Sequence, residues 1–573
     1  MDRLEDIISI AKGDKPADLL IKNARIVNVF TGKIDTTNVA VAGKHIAGLG
    51  DYKQGKQVID ARGKYLIPGL MDAHIHLEST LLTPAAFAAA VIPHGTTSIF
   101  IDPHEIANVL GIRGVEYILR ATEDLPLNVF LLVPSCVPAT NLETSGAIIT
   151  ADDIASLLSH PRVVGLAEMM NYPGVLSGNP HVLKKIKVAQ NAHKVIDGHA
   201  PILSGHALQA YISAGIDSDH ETTRPNEARE KLAAGMWLML RQGTAAKNLV
   251  NLLSAVDEFT FHRCVFCADD REPADLLNEG HIDYIIREAI NAGLNPIWAI
   301  KMATLNCVQR FGLKRLGAIA PGYQADIVLI DDLKAFNVEV VIKNGEVVFA
   351  DGILKVNPPI YIEPEVTNTI HIKEISPETF SIYLQAEKAR VIGLVKDQII
   401  TQHLVKTVRK SSRGEVLPDP DQDIVKIAVI ERHLASGNIG LGLISGLGLK
   451  RGAIASSVGH DSHNIIVAGT NNKDMYCAVK AIKAMQGGFV VVENGEVKAG
   501  LALPVAGLIS PLSAQEVAFH IEHLCTVAQE LGVNHRNPFL TLSFVALPVI
   551  PELRLTDKGL VDVNKFSLVP LEV

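Results

Sequence analysis

One rhythm constrains the fold of this chain more than any other feature. From residue 65 to residue 314, short apolar segments alternate with stretches of helical character. The segment "YLIPGLMDAHIH" (65–76) comes first. It is followed by "TTSIFID" (96–102), "NVFLLVPS" (128–135), "VVGLAEM" (163–169), "KVIDGHA" (194–200), "GIDSDHE" (215–221), "MWLMLRQG" (236–243) and "FTFHRCVFCADD" (259–270). Helix-like segments such as "TPAAFAAAVIPHG" and "SGHALQAYISAG" fill most of the gaps. Strands covered on both faces read as nearly continuous apolar runs, and strand–helix alternation builds a parallel sheet. Eight such units over roughly 250 residues predict an α/β fold whose centre is a TIM-type (β/α)8 barrel. The fit is loosest after the fifth and sixth strands.

In such barrels the chemistry sits at the C-terminal ends of the strands. Polar residues gather at those ends here. His74 and His76 close the first strand, Glu168 the fourth, His199 the fifth, His220 the sixth, and Asp269 and Asp270 the eighth. Positions i and i+2 of a strand share a face, so His74 and His76 converge. Each residue alone has a plain explanation: Glu168 as a solvated loop carboxylate, His199 as a turn residue in "DGHA". Four imidazoles with Glu168 and Asp269 at one end of one barrel instead predict a metal site. Mixed nitrogen and oxygen donors suit Mn, Fe or Zn. Asp102, His104 and Glu105 follow the second strand; the plain reading of "DPHE" is a solvated turn opening a helix. Asp270 faces the pocket if the chain turns at the strand end; otherwise it pairs with Arg271. Glu78, Glu105 and Glu221 are the candidate proton donors.

One pattern is misleading. His76-Leu77-Glu78 and Cys264-x-x-Cys267 imitate the zinc signature of cytidine-type deaminases. Arg263, not proline, precedes Cys264, and the two halves lie far apart, so Cys264 and Cys267 are expected as apolar strand residues. The glycine-rich "GNIGLGLISGLG" (437–448) lacks the dinucleotide fingerprint and reads as a turn. His193, His206 and His281 read as ordinary helix or loop histidines.

Short alternating strands flank the barrel: "LLIKNARIVNVF", "NVAVAGKHIAGLG" and "QVIDARG" before it, "GAIAPGYQADIVLIDD" and "VEVVIKNGEVVFADG" after it. They predict one composite β domain from residues 1–64 plus 315–362, with the barrel (65–314) inserted and a further domain over 363–573. A chain of 573 residues exceeds what one core supports. The net charge of −9 argues against a nucleic-acid partner, which needs a basic surface. "MDRLEDIISIAKGDK" lacks a signal-peptide core, and no apolar run is long enough for a membrane span. The six cysteines show no framework spacing. A cytoplasmic protein is expected, with a homo-oligomer as the default assembly.

"GLMDAHIH", then Glu168, His199, His220 and Asp269 in that order, resembles the amidohydrolase superfamily. "APGYQADIVLID" and "VIKNGEVV" are similar to its composite β-sandwich domain. Closer still, "DPHEIANV" (102–109), "GLAEMMNYPGV" (165–175), "CADDREP" (267–273), "SVGHDSHNIIVAGTN" (457–471) and "LALPVAGLIS" (501–510) resemble the bacterial adenine deaminase family, which carries an extra C-terminal α+β domain. The resemblance implies hydrolysis of adenine to hypoxanthine and ammonia, a purine-salvage reaction. It implies two divalent metal ions per subunit, Mn or Fe ahead of Zn. His74, His76 and Asp269 would hold one and His199 and His220 the other, with Glu168 bridging where many superfamily members use a carboxylated lysine. Asp269, Glu168 and Glu105 are the expected catalytic residues. Asp270, Glu78 and His463 are the expected substrate contacts, with the "GHDSHN" loop closing the pocket. Two alternatives stand beside this: a hydrolase of a cyclic amide such as a hydantoin or imidazolone, and a non-catalytic scaffold on the same fold.

Overall fold

The structure is a computed structural model and describes residues 4–396 and 398–573. The apolar runs form the wall of a parallel barrel. Leu70–Ile75, Thr96–Ile101, Asn128–Val133, Val163–Met169 and Val195–Gly198 lie side by side in chain order. Ser218–Asp219, Trp237–Arg241 and Cys264–Cys267 form a second parallel group. Asp217 N–H donates to the Ile196 carbonyl at 3.4 Å across one gap between the groups. Across the other, Asp269 N–H donates to the His74 carbonyl at 2.9 Å. The eight strands therefore close on themselves, and the alternation in the sequence is the barrel. Cys264 and Cys267 are buried strand residues.

The first strand differs from its sequence reading. "YLIPGLMDAHIH" is two strands, not one. Tyr65–Pro68 pairs antiparallel with Ile327–Ile330, and only Leu70–Ile75 enters the barrel. Pro68 has no N–H to donate, and a Cβ on Gly69 would lie 2.1 Å from Thr97 Oγ1. The chain changes sheets where it carries no side chain.

Tyr65–Pro68 ties the barrel to a nine-stranded sheet. That sheet combines Ala17–Asn28, Lys33–Ala42, His45–Gly50 and Gly55–Asp60 with Ile327–Ile330, Val338–Lys343, Glu346–Ala350 and Ile353–Leu354. Its core joins Leu19, Ile26 and Val39 to Ile327 and Ile342, so chain from both sides of the barrel shares one interior.

Beyond residue 363, an eight-stranded sheet packs against the helix Asn472–Met485. The glycine-rich stretch 437–448 is not a turn. Ile439–Ser445 is an internal strand, antiparallel to Ile424–Ile430 and parallel to Lys388–Leu394. A Cβ on Gly440 would lie 1.9 Å from the Thr556 carbonyl. The glycine admits the hairpin Leu553–Asp562 against the strand's backbone. The loop between Ala453–Ser456 and Ile465–Gly469 reaches the barrel's C-terminal end, where Asn464 Nδ2 donates to the Thr144 carbonyl at 2.8 Å.

Candidate active site

The strand ends bring the predicted ligands together. His74 Nε2 and His76 Nε2 face each other at 3.2 Å. Asp269 Oδ1 lies 3.5 Å from the first and 3.1 Å from the second. Glu168 divides its carboxylate: Oε1 is 3.4 Å from His76 Nε2, while Oε2 is 2.5 Å from His199 Nδ1 and 3.2 Å from His220 Nε2. His74, His76, Glu168, His220 and Asp269 are all buried. Two imidazole nitrogens at 3.2 Å therefore share one carboxylate oxygen. The buried Nδ1 atoms of His74 and His220 have no hydrogen-bond partner among the described residues. Such a convergence of nitrogen and oxygen lone pairs fits a divalent cation, and five overlapping groups of this kind occur at this end of the barrel.

The electrostatics follow from burial and pairing. Burial alone would raise the Glu168 carboxyl; the His199 and His220 rings outweigh it and hold the group well below its ordinary range. Burial likewise opposes ionisation of Asp269, and Arg241 with His74 and His76 reverses the effect. Arg241 Nη1 donates to Asp269 Oδ2 at 2.5 Å, and its fork also grips both oxygens of Glu221. Sequence reasoning missed Arg241. Its one signal was a charge at the end of an otherwise apolar strand, "MWLMLR".

Asp269 adopts φ +57°, a left-handed conformation rare outside glycine. This turn at the strand end swings Asp270 toward the cleft, where its Oδ1 accepts from Ser79 Oγ at 2.5 Å. Arg271 points elsewhere, to Glu279 and the Gly280 carbonyl. Burial, and then Asp269, raise the Asp270 carboxyl.

Glu105 is buried and held by the C-terminal domain. His460 Nδ1 lies 2.9 Å from its Oε1, and His463 Nε2 bonds its Oε2. His463 Nδ1 accepts from Gly459 N–H at 3.3 Å, so both its ring nitrogens are engaged and it stands behind Glu105. The cleft instead meets His460 and Asp461. Glu78 is also set back. Its Oε1 accepts from Ile106 N–H at 3.0 Å, its Oε2 is buried without a hydrogen-bond partner among the described residues, and burial pushes its carboxyl up to about 7.

Below the candidate ligands lies a polar layer that the sequence did not reveal. Lys231, 1% exposed, donates to Ala200 O, Asp219, Thr222 and Glu227 at 2.7–3.1 Å. It anchors the chain beside both His199 and His220. His281 is no ordinary histidine: it is fully buried, with Nε2 2.9 Å from Asp72 Oδ2 beneath the first strand. The cleft above the ligands measures about 2460 Å³ and runs between the barrel and the helix Ala514–Glu530. No helix among the described residues is long and apolar enough to cross a membrane.

Comparison with known proteins identifies the family. Residues 65–348 match the amidohydrolase family, and residues 398–567 match the adenine deaminase C-terminal domain. "Adenine deaminase 2" of Carboxydothermus hydrogenoformans is 48% identical over 579 aligned positions, covering 100% of both chains. An adenine deaminase of Dehalococcoides mccartyi is 49% identical over 569, covering 99% of each. That of Thermosipho melanesiensis is 45% identical over 574, again covering 100% of both. With both halves matched and relatives aligned end to end, the chain belongs to the adenine deaminase family of amidohydrolases.

Proposed function

We propose that this protein is a metal-dependent adenine deaminase that converts adenine and water to hypoxanthine and ammonia. The observation that carries the reading is Glu168, whose two oxygens serve two different sets of imidazoles beside the Asp269–Asp270 pair. On this reading two divalent ions bind per subunit, Mn or Fe in preference to Zn. His74, His76 and Asp269 would hold one and His199 and His220 the other, with Glu168 between the two sets. A divalent metal held there would supply Lewis acidity of the kind that lowers the pKa of water from about 15.7 to about 7.

The side chains do the rest. Asp269 keeps Oδ2 on Arg241, so its Oδ1 is fixed where the attacking water must lose a proton. It receives that proton and returns it toward the leaving amino group, a service worth ~10²–10⁴-fold. Asp270, whose carboxyl takes up a proton more readily than a free one, meets a ring nitrogen of the purine. Glu78, whose carboxyl burial raises to about 7, stands behind the cleft against the Ile106 N–H. Glu105 remains an anion and acts through His460, with His463 as the residue that positions it. Attack at C6 gives a tetrahedral carbon that expels ammonia. The reaction serves purine salvage in the cytoplasm, and the working unit is a homo-oligomer.

The test is ammonia release from adenine by Mn-loaded protein, with Glu168→Gln beside it. Turnover by the wild type and its loss in the variant support the substrate and the spanning carboxylate together. Metal-replete protein inert on adenine removes the substrate assignment.

A further inference from the structure

The joint between the barrel and the C-terminal domain holds a second group of potential ligands, apart from the six residues assigned above. His104 and Glu105 open the helix after the second strand, and Asp461 comes from the loop after Ala453–Ser456. One nitrogen of His104, one oxygen of Glu105 and one oxygen of Asp461 lie within 4.8 Å of one another. The three residues are 4%, 2% and 4% exposed. His104 Nδ1 is 3.2 Å from Asp102 Oδ2, so an Nδ1–H directed at that carboxylate would free Nε2 to ligate. That Nε2 faces Glu105 Oε1 at 3.5 Å, too long for a good hydrogen bond. Asp461 Oδ2 is buried without any hydrogen-bond partner among the described residues.

Two more features mark this as a built site. A ligating histidine normally passes its other N–H to a carboxylate, and ligating carboxylates are themselves held by hydrogen bonds. Asp102 does the first for His104; His460 and His463 do the second for Glu105. The charge balance also points to a cation. Asp102, Glu105 and Asp461 form ion pairs with histidines alone, and no lysine or arginine touches them among the described residues. Several buried carboxylates without a fixed positive charge are costly to keep ionised.

We propose that His104, Glu105 and Asp461 bind a further divalent cation of the Mn, Fe or Zn class, one that joins the C-terminal domain to the barrel. The site shares no ligand with the proposed pair at Glu168, although His104 Nδ1 lies 3.5 Å from Glu168 Oε1, and it does not depend on the identity of the substrate. It gives the C-terminal loop a role beyond covering the cleft, because the third ligand comes from that loop.

The experiment counts metal in the full-length protein. Wild type, Asp461→Asn and Glu168→Gln are expressed with added Mn(II), desalted, and measured by plasma mass spectrometry with thermal unfolding alongside. The expected result is three Mn per chain in the wild type and two in Asp461→Asn. In Glu168→Gln at least one ion remains, seen as an isolated Mn(II) electron-spin-resonance signal that the added Asp461→Asn change abolishes. If Asp461→Asn does not fold, Glu105→Gln carries the same count. A wild type saturating at two ions, or three ions unaffected by Asp461→Asn and Glu105→Gln, overturns the proposal: the histidines then hold protons in place of a metal. Adenine turnover decides neither outcome, so failure of the substrate assignment would be seen separately.

Discussion

Replacing Lys231 by methionine tests whether the layer beneath the ligands supports the site. The lysine is 1% exposed and lies 2.9 Å from Asp219 Oδ2 and 2.7 Å from Glu227 Oε1. Those carboxylates in turn fix the backbone that carries two of the proposed ligands. Asp219 Oδ1 accepts from Ala200 N–H at 2.7 Å, next to His199, and Glu227 Oε1 accepts from Ile202 N–H at 2.9 Å. Methionine matches the stem but removes the charge, leaving two buried carboxylates without a cation. Removing one partner of a buried pair costs about 3–5 kcal/mol. Felt as local opening, that is a fall of roughly 10²–10⁴-fold in amide protection over residues 195–203 and 217–222. The sign with pH is also fixed. In the wild type, burial opposes the Asp219 charge but Lys231 outweighs it, and the net pKa falls below 3.8. That contribution is therefore complete above about pH 4 and is lost as the pH falls through the depressed value. In Lys231→Met the unpaired carboxyl titrates upward, so the deficit is smaller near pH 5 than near pH 8. Hydrogen exchange by mass spectrometry at both pH values measures this, and Lys231→Met/Asp219→Asn/Glu227→Gln should recover most of the protection. Unchanged protection in Lys231→Met, or an equal deficit at both pH values, would refute the reasoning.

Arg241→Met frees Asp269 Oδ2 and both oxygens of Glu221. Loss of such an outer partner should weaken metal binding about 10–100-fold, read by competition with a chelating dye; unaltered affinity would show that Asp269 needs no holding. Ser513→Ala breaks the capping box that opens the helix Ala514–Glu530 and should cost about 1 kcal/mol, seen as faster exchange in the helix's first turn with metal content unchanged. His433, partly buried beside Arg432, is held well below 6.5 first by desolvation and then by the arginine. Its contribution to stability is complete above pH 6.5 and is lost as the pH falls, by up to about 1.4 kcal/mol at pH 5.5. His433→Gln should flatten that part of the acid dependence of the thermal midpoint, and a parallel shift of the two proteins would count against it.

The sequence disclosed what burial writes directly into composition. Parallel strands covered on both faces become apolar runs, so the barrel could be read, and a barrel's strand ends give polar residues an address before any contact is known. His74, His76, Glu168, His199, His220 and Asp269 were singled out in this way. What stayed hidden depends on pairing across long separations. Lys231 and Glu227 look like a routine i,i+4 pair on a helix surface until burial is known. Arg241 finds its partner Asp269 on the next strand of the barrel. Glycines in 437–448 counted as a turn because the hairpin that needs their bare backbone lies more than a hundred residues away.

The loop carrying His460, Asp461 and His463 shows the same limit and explains the chain's length. His463 reaches Glu105 across 358 residues of sequence. A barrel with its β domain alone would leave Glu105 buried or solvated without the imidazoles that fix it. It would also leave the cleft open on the side now closed by Phe544 and the helix Ala514–Glu530. The C-terminal domain is thus part of the site rather than an appendage to it. Substitutions in this loop should therefore alter metal content and pocket chemistry before they alter the fold of the barrel.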